Sequence, residues 1–208
     1  GRRAHYGTII DEGRKRSPDA HKSLIKLSAD PLYPVIVRST ALSLLAAYPA
    51  AETNQAFELA LMDEEALIRR TAVDHINVSD PRRQTALLTP MLYDPVKAVR
   101  VEAARRIAEM SNPPLDKDQK TVFQASLDDY IKSMEYSADF AFGRYNLANL
   151  YVAQNELQKA IDNYRSAFKI DNLFYPAKVN LAMLYNSQKR NADAERLLRE
   201  VFEDYPDQ

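Results

Sequence analysis

Through the first half of the chain, apolar residues recur in a stripe with a 31-residue step. Val37-Arg38-Ser39-Thr40-Ala41, Ile68-Arg69-Arg70-Thr71-Ala72 and Val99-Arg100-Val101-Glu102-Ala103 align arginine on arginine and alanine on alanine. Four residues beyond each alanine stands Leu45, Ile76 or Ile107. An apolar residue followed by others at i+4 and i+8 lies on one face of an α-helix. The small alanine in mid-stripe permits a neighbouring helix to approach closely. Each of these helices is preceded by a second apolar run: Leu24, Ile25 and Leu27; Phe57, Leu59, Leu61 and Met62; Leu87, Leu88, Met91 and Leu92. Asp30, Asp63 and Asp94 fall between the two runs of each pair. Ser17-Pro18, Asp80-Pro81 and Asp94-Pro95 read as helix starts, a capping side chain before a proline at the first helical position. Asp30-Pro31 reads as a turn, because Pro34 follows. The predicted unit is a helix-turn-helix pair, present three times over 17–114, with a lead helix over 1–16 built on Tyr6, Ile9 and Ile10.

Ser111-Asn112-Pro113-Pro114 breaks this pattern, since two prolines cannot continue a helix. A 34-residue step then takes over. Leu147, Ala148 and Tyr151 return as Leu181, Ala182 and Tyr185, Ala160 returns as Ala194, and Tyr164 is answered by Leu198. Ser126 and Tyr130 stand one step before Ala160 and Tyr164, which predicts a lone helix over 119–136. Repeating hairpins of this kind cannot bury their apolar faces singly and gain stability by stacking. The predicted fold is an all-α chain, an α-solenoid of stacked helical hairpins, with 115–208 as its second region.

Two resemblances attach to these residues. Asp94-Pro95, Val99-Arg100, Ala103 and Ile107 resemble the second helix of HEAT-type repeats, although the step is shorter than the usual 40–47 residues. The 34-residue unit over 141–174 and 175–208 resembles the tetratricopeptide repeat, including Ile170-Asp171-Asn172 and Asp204-Tyr205-Pro206 at the unit ends. Position four of that repeat, often Trp, is Arg144 and Lys178 here. The resemblance implies a peptide-binding concave face lined by the first helix of each pair. It places Phe142, Tyr145, Asn146, Asn149 and Val152 on that face, followed by Val179, Asn180, Met183 and Asn186. Asn149 and Asn180 occupy the two asparagine positions of a peptide-carboxylate clamp, but Tyr145 replaces its lysine. The expectation is therefore an extended peptide or partner helix held by Tyr145, Asn149 and Asn180 beside Phe142, Val152, Met183 and Asn186.

Composition narrows the chemistry. The 208 residues contain no cysteine and four glycines, so a thiolate metal site, a cysteine nucleophile and a glycine-rich phosphate loop are all excluded. The net charge of −1 supplies no general field for nucleic acid or an anionic membrane. His5, His21 and His75 include no i, i+4 pair. Glu64-Glu65, Asp128-Asp129 and Glu203-Asp204 are adjacent pairs whose side chains diverge on a helix, so they make poor acid–base dyads. No catalytic residue and no metal ligand is predicted, and the chain reads as a non-enzyme. The dibasic pairs Arg69-Arg70, Arg82-Arg83 and Arg105-Arg106 admit an alternative. HEAT-like arrays of alkylpurine DNA glycosylases grip duplex DNA with a basic concave face. For Arg38, Arg69 and Arg100, at one repeat position, a recurring Arg–Asp pair between successive turns is the preferred reading.

Arg3-Ala4-His5-Tyr6-Gly7, Gly13-Arg14 and the run from Ala29-Asp30-Pro31 to Val37-Arg38-Ser39-Thr40-Ala41-Leu42 resemble the repeat region of bacterial multihaem c-type cytochromes. That family carries its haem motifs upstream and ends in HEAT-like and tetratricopeptide repeats. The resemblance implies that this chain holds no cofactor, that any haem lies in an upstream region, and that the parent is periplasmic; without that link the chain is placed in the cytoplasm. The absence of an initial Met makes a processed or excised chain the expectation. A docking or assembly module with a protein or peptide partner, without membrane insertion, is the function these readings converge on.

Overall fold

A computed structural model describes residues 5–110 and 112–204, and these form α-helices, 3-10 turns and connecting loops. Arg3 and Ala4 of the opening motif, and Tyr205-Pro206 of the second unit-end signature, lie outside the described residues. The chain is all-α and divides into two compact units, Gly1–Ser126 and Leu127–Gln208. The dividing point falls within one long helix.

The first unit holds α1 (Tyr6–Arg14), α2 (Ala20–Ala29), α3 (Val35–Leu44), α4 (Ala51–Ala60), α5 (Ala66–His75), α6 (Pro81–Leu88) and α7 (Lys97–Ala108). It also holds the first half of α8 (Lys117–Tyr136). Helix α2 pairs with α3, α4 with α5, and α6 with α7, while α3 packs on α5 and α5 on α7. Ala41, Ala72 and Ala103 have no exposed surface, and neither have Leu45, Ile76 and Ile107 four residues on. The 31-residue step is therefore a row of second helices meeting through alanine. Leu59 and Met62 depart from expectation. Phe57 and Leu61 are buried one turn apart, and that leaves Leu59, within α4, and Met62, just past its end, facing solvent.

Loop chemistry explains where the helices begin. Asp30, Asp63 and Asp94 each accept, through Oδ1, the amide two residues on, from Leu32 at 3.0 Å, Glu65 at 2.9 Å and Val96 at 2.8 Å. This Asx turn makes Asp94 a loop residue, so α7 starts at Lys97 and Pro95 precedes the helix. Asp80 does cap α6, accepting from the Arg82 amide at 2.9 Å with Pro81 at the first position. Ser17-Pro18 does not cap α2. Ser17 instead donates its amide to the Glu12 carbonyl at 3.0 Å, closing α1 around left-handed Arg16 (φ 54°). Pro90 ends α6 at Leu88, and Thr89–Tyr93 continues as a 3-10 turn. His5 caps α1, its Nδ1 accepting from the Gly7 amide at 3.1 Å. Asp116 and Gln119 form a reciprocal capping box at the start of α8, at 2.8 and 3.0 Å.

The expected Arg–Asp pairing holds at two positions of the arginine row, Arg38 and Arg69, while Arg100 meets backbone carbonyls. Arg38 donates to Asp63 and to the Ser28 carbonyl. Arg69 grips Asp94 with both arms of its fork, Nε to Oδ2 at 2.6 Å and Nη2 to Oδ1 at 3.0 Å, and donates to the carbonyls of Asp63 and Glu64. Arg100 donates to the carbonyls of Asp94 and Pro95. Of the basic pairs, Arg69, Arg70, Arg83, Arg105 and Arg106 are drawn into the same framework. Arg70 reaches Glu102, and Arg105 reaches Glu102, Asp74 and Glu109. Arg106 reaches Glu109 and the Ile76 carbonyl, and Arg83 reaches Glu58.

The second unit holds the rest of α8 with α9 (Ala141–Ala153), α10 (Leu157–Ile170), α11 (Tyr175–Ser187) and α12 (Asn191–Asp204). Helices α9 and α10 form one hairpin, α11 and α12 the next, and α10 packs on α11. The 34-residue step extends to the backbone. Asn155 (φ 59°) and Lys189 (φ 62°) end α9 and α11 in the left-handed region. The following amides, Glu156 and Arg190, return to the carbonyls of Tyr151 and Tyr185 at 2.8 and 2.9 Å.

Candidate protein-binding face

The first helices of the second unit, α9 and α11, carry the seven residues singled out above. Three of them come together. The Asn180 amide donates to the Tyr145 hydroxyl at 3.1 Å and to Asn149 Oδ1 at 3.0 Å. The Tyr164 hydroxyl of α10 donates to the same Asn149 oxygen at 2.6 Å. Tyr145 packs at 6.1 Å from the Tyr164 ring and edge-on to Phe174 at 5.4 Å. All these groups except the buried Tyr164 are half-buried. Asn149 and Asn180 thus use their amides to clasp one hairpin to the next.

The clasp alters a titration. Burial, with Tyr145 beside it and against the opposing pull of Asn180, raises the Tyr164 phenol from its ordinary 10 to about 12. A raised value means that this phenol's contribution is whole below pH 10 and is lost as pH rises through about 12. In an alkaline titration followed by phenolate absorbance, Tyr164 is expected to ionise late among the twelve tyrosines, together with unfolding of this unit. Tyr164→Phe should delete that late component.

The other four residues are exposed. Phe142 stacks on Phe140 at 5.9 Å, and Val152 faces solvent at the end of α9. Met183 and Asn186 line a groove of about 710 Å³ between α11 and α12. Its far wall is Glu195, Leu198, Arg199 and Phe202, over a floor of Ala182 and Ala194. Leu198 and Phe202 were not anticipated as site residues. Their signal lies in the 34-residue step, which sets them on the positions of Tyr164 and Phe168. The groove is apolar with one Glu195–Arg199 pair at 2.7 Å on its edge, a surface suited to side chains of another polypeptide.

Among the described residues, no three His, Asp or Glu side chains gather to hold a metal ion. No described helix is long and apolar enough to cross a membrane. Comparison with curated proteins and with solved structures found no match. A family model does match: residues 151–208, from the last turn of α9 through α12, fit the tetratricopeptide repeat.

Proposed function

We propose that this chain is a non-catalytic protein–protein interaction scaffold that takes a peptide or partner helix on the α9–α11 face and the groove beside it. The observation that carries this reading is the apolar groove of Met183, Leu198 and Phe202 within the segment that matches the tetratricopeptide repeat. In this reading 17–114 are three HEAT-like hairpins, 1–16 the lead helix, and 115–208 the tetratricopeptide region. The pairing of Arg38, Arg69, Arg70, Arg83 and Arg105 with carboxylates supports a structural use of the basic residues over a nucleic-acid groove.

The test uses exposed residues, because Tyr145, Asn149 and Asn180 hold the hairpins together and their loss would perturb folding. Met183→Asp and Phe202→Asp are expected to lower capture of the cognate partner at least tenfold with an unchanged circular dichroism spectrum. Burying a lone carboxylate against an apolar surface costs more than the corresponding ~1.4 kcal/mol. Unchanged capture by both variants would place the binding face elsewhere. The assembly role within a larger bacterial cytochrome draws support from the opening motif and the HEAT-like run. Its check is the visible absorbance of the native full-length polypeptide: c-type haem bands carry it, and a colourless polypeptide of this size removes it.

A further inference from the structure

The two hairpins of the second unit differ in what covers them. In the first, Tyr164 is buried to 2% exposure and Phe168 is packed against the core. Their counterparts 34 residues on, Leu198 and Phe202, are 48% and 64% exposed, and Met183, the counterpart of half-buried Asn149, is 66% exposed. The cover in the first case is α11. It places Ala177, Leu181 and Tyr185 in the common core, sets Phe174 on Tyr145, and offers the Tyr185 hydroxyl to Arg165 at 2.8 Å. No described helix covers the second face.

The first junction thus gives the pattern that a helix on the second face would follow, with one change of chemistry. At the first junction the three contributing positions are Tyr145, Asn149 and Tyr164; the Asn180 amide donates to the first two, and the Tyr164 hydroxyl donates to Asn149. At the second the same positions are Val179, Met183 and Leu198, none with a hydrogen-bonding side chain. An amide brought there would be buried without a partner, which costs far more than it gains. Arg199 stands where Arg165 stands and so can meet an acceptor at the place of Tyr185.

We propose that the face of Met183, Leu198 and Phe202 seats an amphipathic helix of another polypeptide in the register that α11 takes on the preceding hairpin, and that this helix carries an apolar residue where α11 carries Asn180. The inference rests on the scaffold reading and specifies its partner. The helix has a small residue, then an apolar residue at i+3, a leucine-like residue at i+4 and an acceptor at i+8, the spacing of Ala177, Asn180, Leu181 and Tyr185. Continuity with the α10–α11 interface argues for this occupant. A second copy cannot offer its own α11, because Ala177, Leu181 and Tyr185 are buried inside its own stack.

Two peptides test this: one with the sequence of residues 174–190, and the same peptide with Asn180→Leu. Each is titrated into the intact chain, and the Met183 and Leu198 methyl resonances report binding. The leucine peptide is expected to bind at least tenfold more tightly, and Leu198→Asp in the chain to abolish its binding. In a Met183→Asn, Leu198→Tyr chain, where the polar clasp is rebuilt, the preference should reverse. Equal affinities, a preference of the unaltered chain for the asparagine peptide, or no binding of either peptide would overturn the inference. So would self-association of the chain that Leu198→Asp abolishes, since a second copy would then occupy the face. The scaffold reading is judged separately, by loss of the cognate partner in Met183→Asp. Partner loss without a peptide preference defeats only the inference, and partner capture indifferent to Met183→Asp and Phe202→Asp defeats both.

Discussion

Arg69→Met is expected to cost the first unit about 3–5 kcal/mol, the scale for removing one member of a buried ion pair. Asp94 is its counterpart, with a side chain only 3% exposed. Without the guanidinium, that carboxylate keeps the Val96 amide at 2.8 Å and the charge of Arg100, and the carbonyls of Asp63 and Glu64 lose a donor as well. Adding Asp94→Asn removes the orphaned charge while keeping the Asx turn, so the double variant should be less destabilised than the sum of the singles. Urea unfolding of the four proteins of this cycle measures the coupling. The pair also sets the acid response. Burial alone would push the Asp94 carboxyl up, but the Arg69 hydrogen bond, the Val96 amide and the charges of Arg69 and Arg100 hold it below its ordinary 3.8. A lowered value means that this contribution is present above the unfolded value and disappears as pH falls through the folded one. In Arg69→Met, burial acts with less opposition and the folded value rises, so this group's acid-linked loss shrinks; urea unfolding at neutral and acid pH should show the deficit of the variant against the unaltered chain narrowing as pH falls.

Gly143→Ala is expected to destabilise the second unit by about 2 kcal/mol or more, despite alanine's advantage of roughly 1 kcal/mol inside a helix. A Cβ built on Gly143 would lie 2.3 Å from the Ser137 carbonyl oxygen and 3.0 Å from that of Met134. Those are backbone atoms, so relief requires moving the end of α8 relative to α9 within this unit. Among the described residues no glycine has a positive φ, so the need at Gly143 is space. Gly7→Ala provides the comparison, because its Cβ would meet only the movable His5 ring, at 3.0 Å. Thermal unfolding should show a clear loss for Gly143→Ala and a much smaller change for Gly7→Ala.

Helix identity and the arginine ladder were legible in the residues for a simple reason. A stacked hairpin must repeat its contacts at the repeat spacing, so Ala41, Ala72 and Ala103 mark the close approaches and Arg38 and Arg69 find an aspartate 25 residues on. Helix starts were less legible. Asp80 and Asp94 both precede proline and both accept the amide two residues on, yet only Asp80 caps a helix; α7 begins at Lys97, and the Asp94 carboxylate is gripped instead by Arg69 from 25 residues away.

By itself the sequence determined that this protein is a set of apolar-striped hairpins without cysteine or phosphate-loop chemistry. Its resemblance to the tetratricopeptide repeat also marked residues for the first-helix face of the second region, since a repeat register assigns each residue to a face. Only the tertiary structure decided which of those residues are free. Asn149 meets Tyr164 from 15 residues away and Asn180 from 31 residues away, so both amides are spent between hairpins. Met183, one 34-residue step after Asn149, meets no such neighbour and stays exposed beside Leu198 and Phe202. Exposure belongs to the covering element, and a pattern along one helix does not record whether another helix lies on top of it.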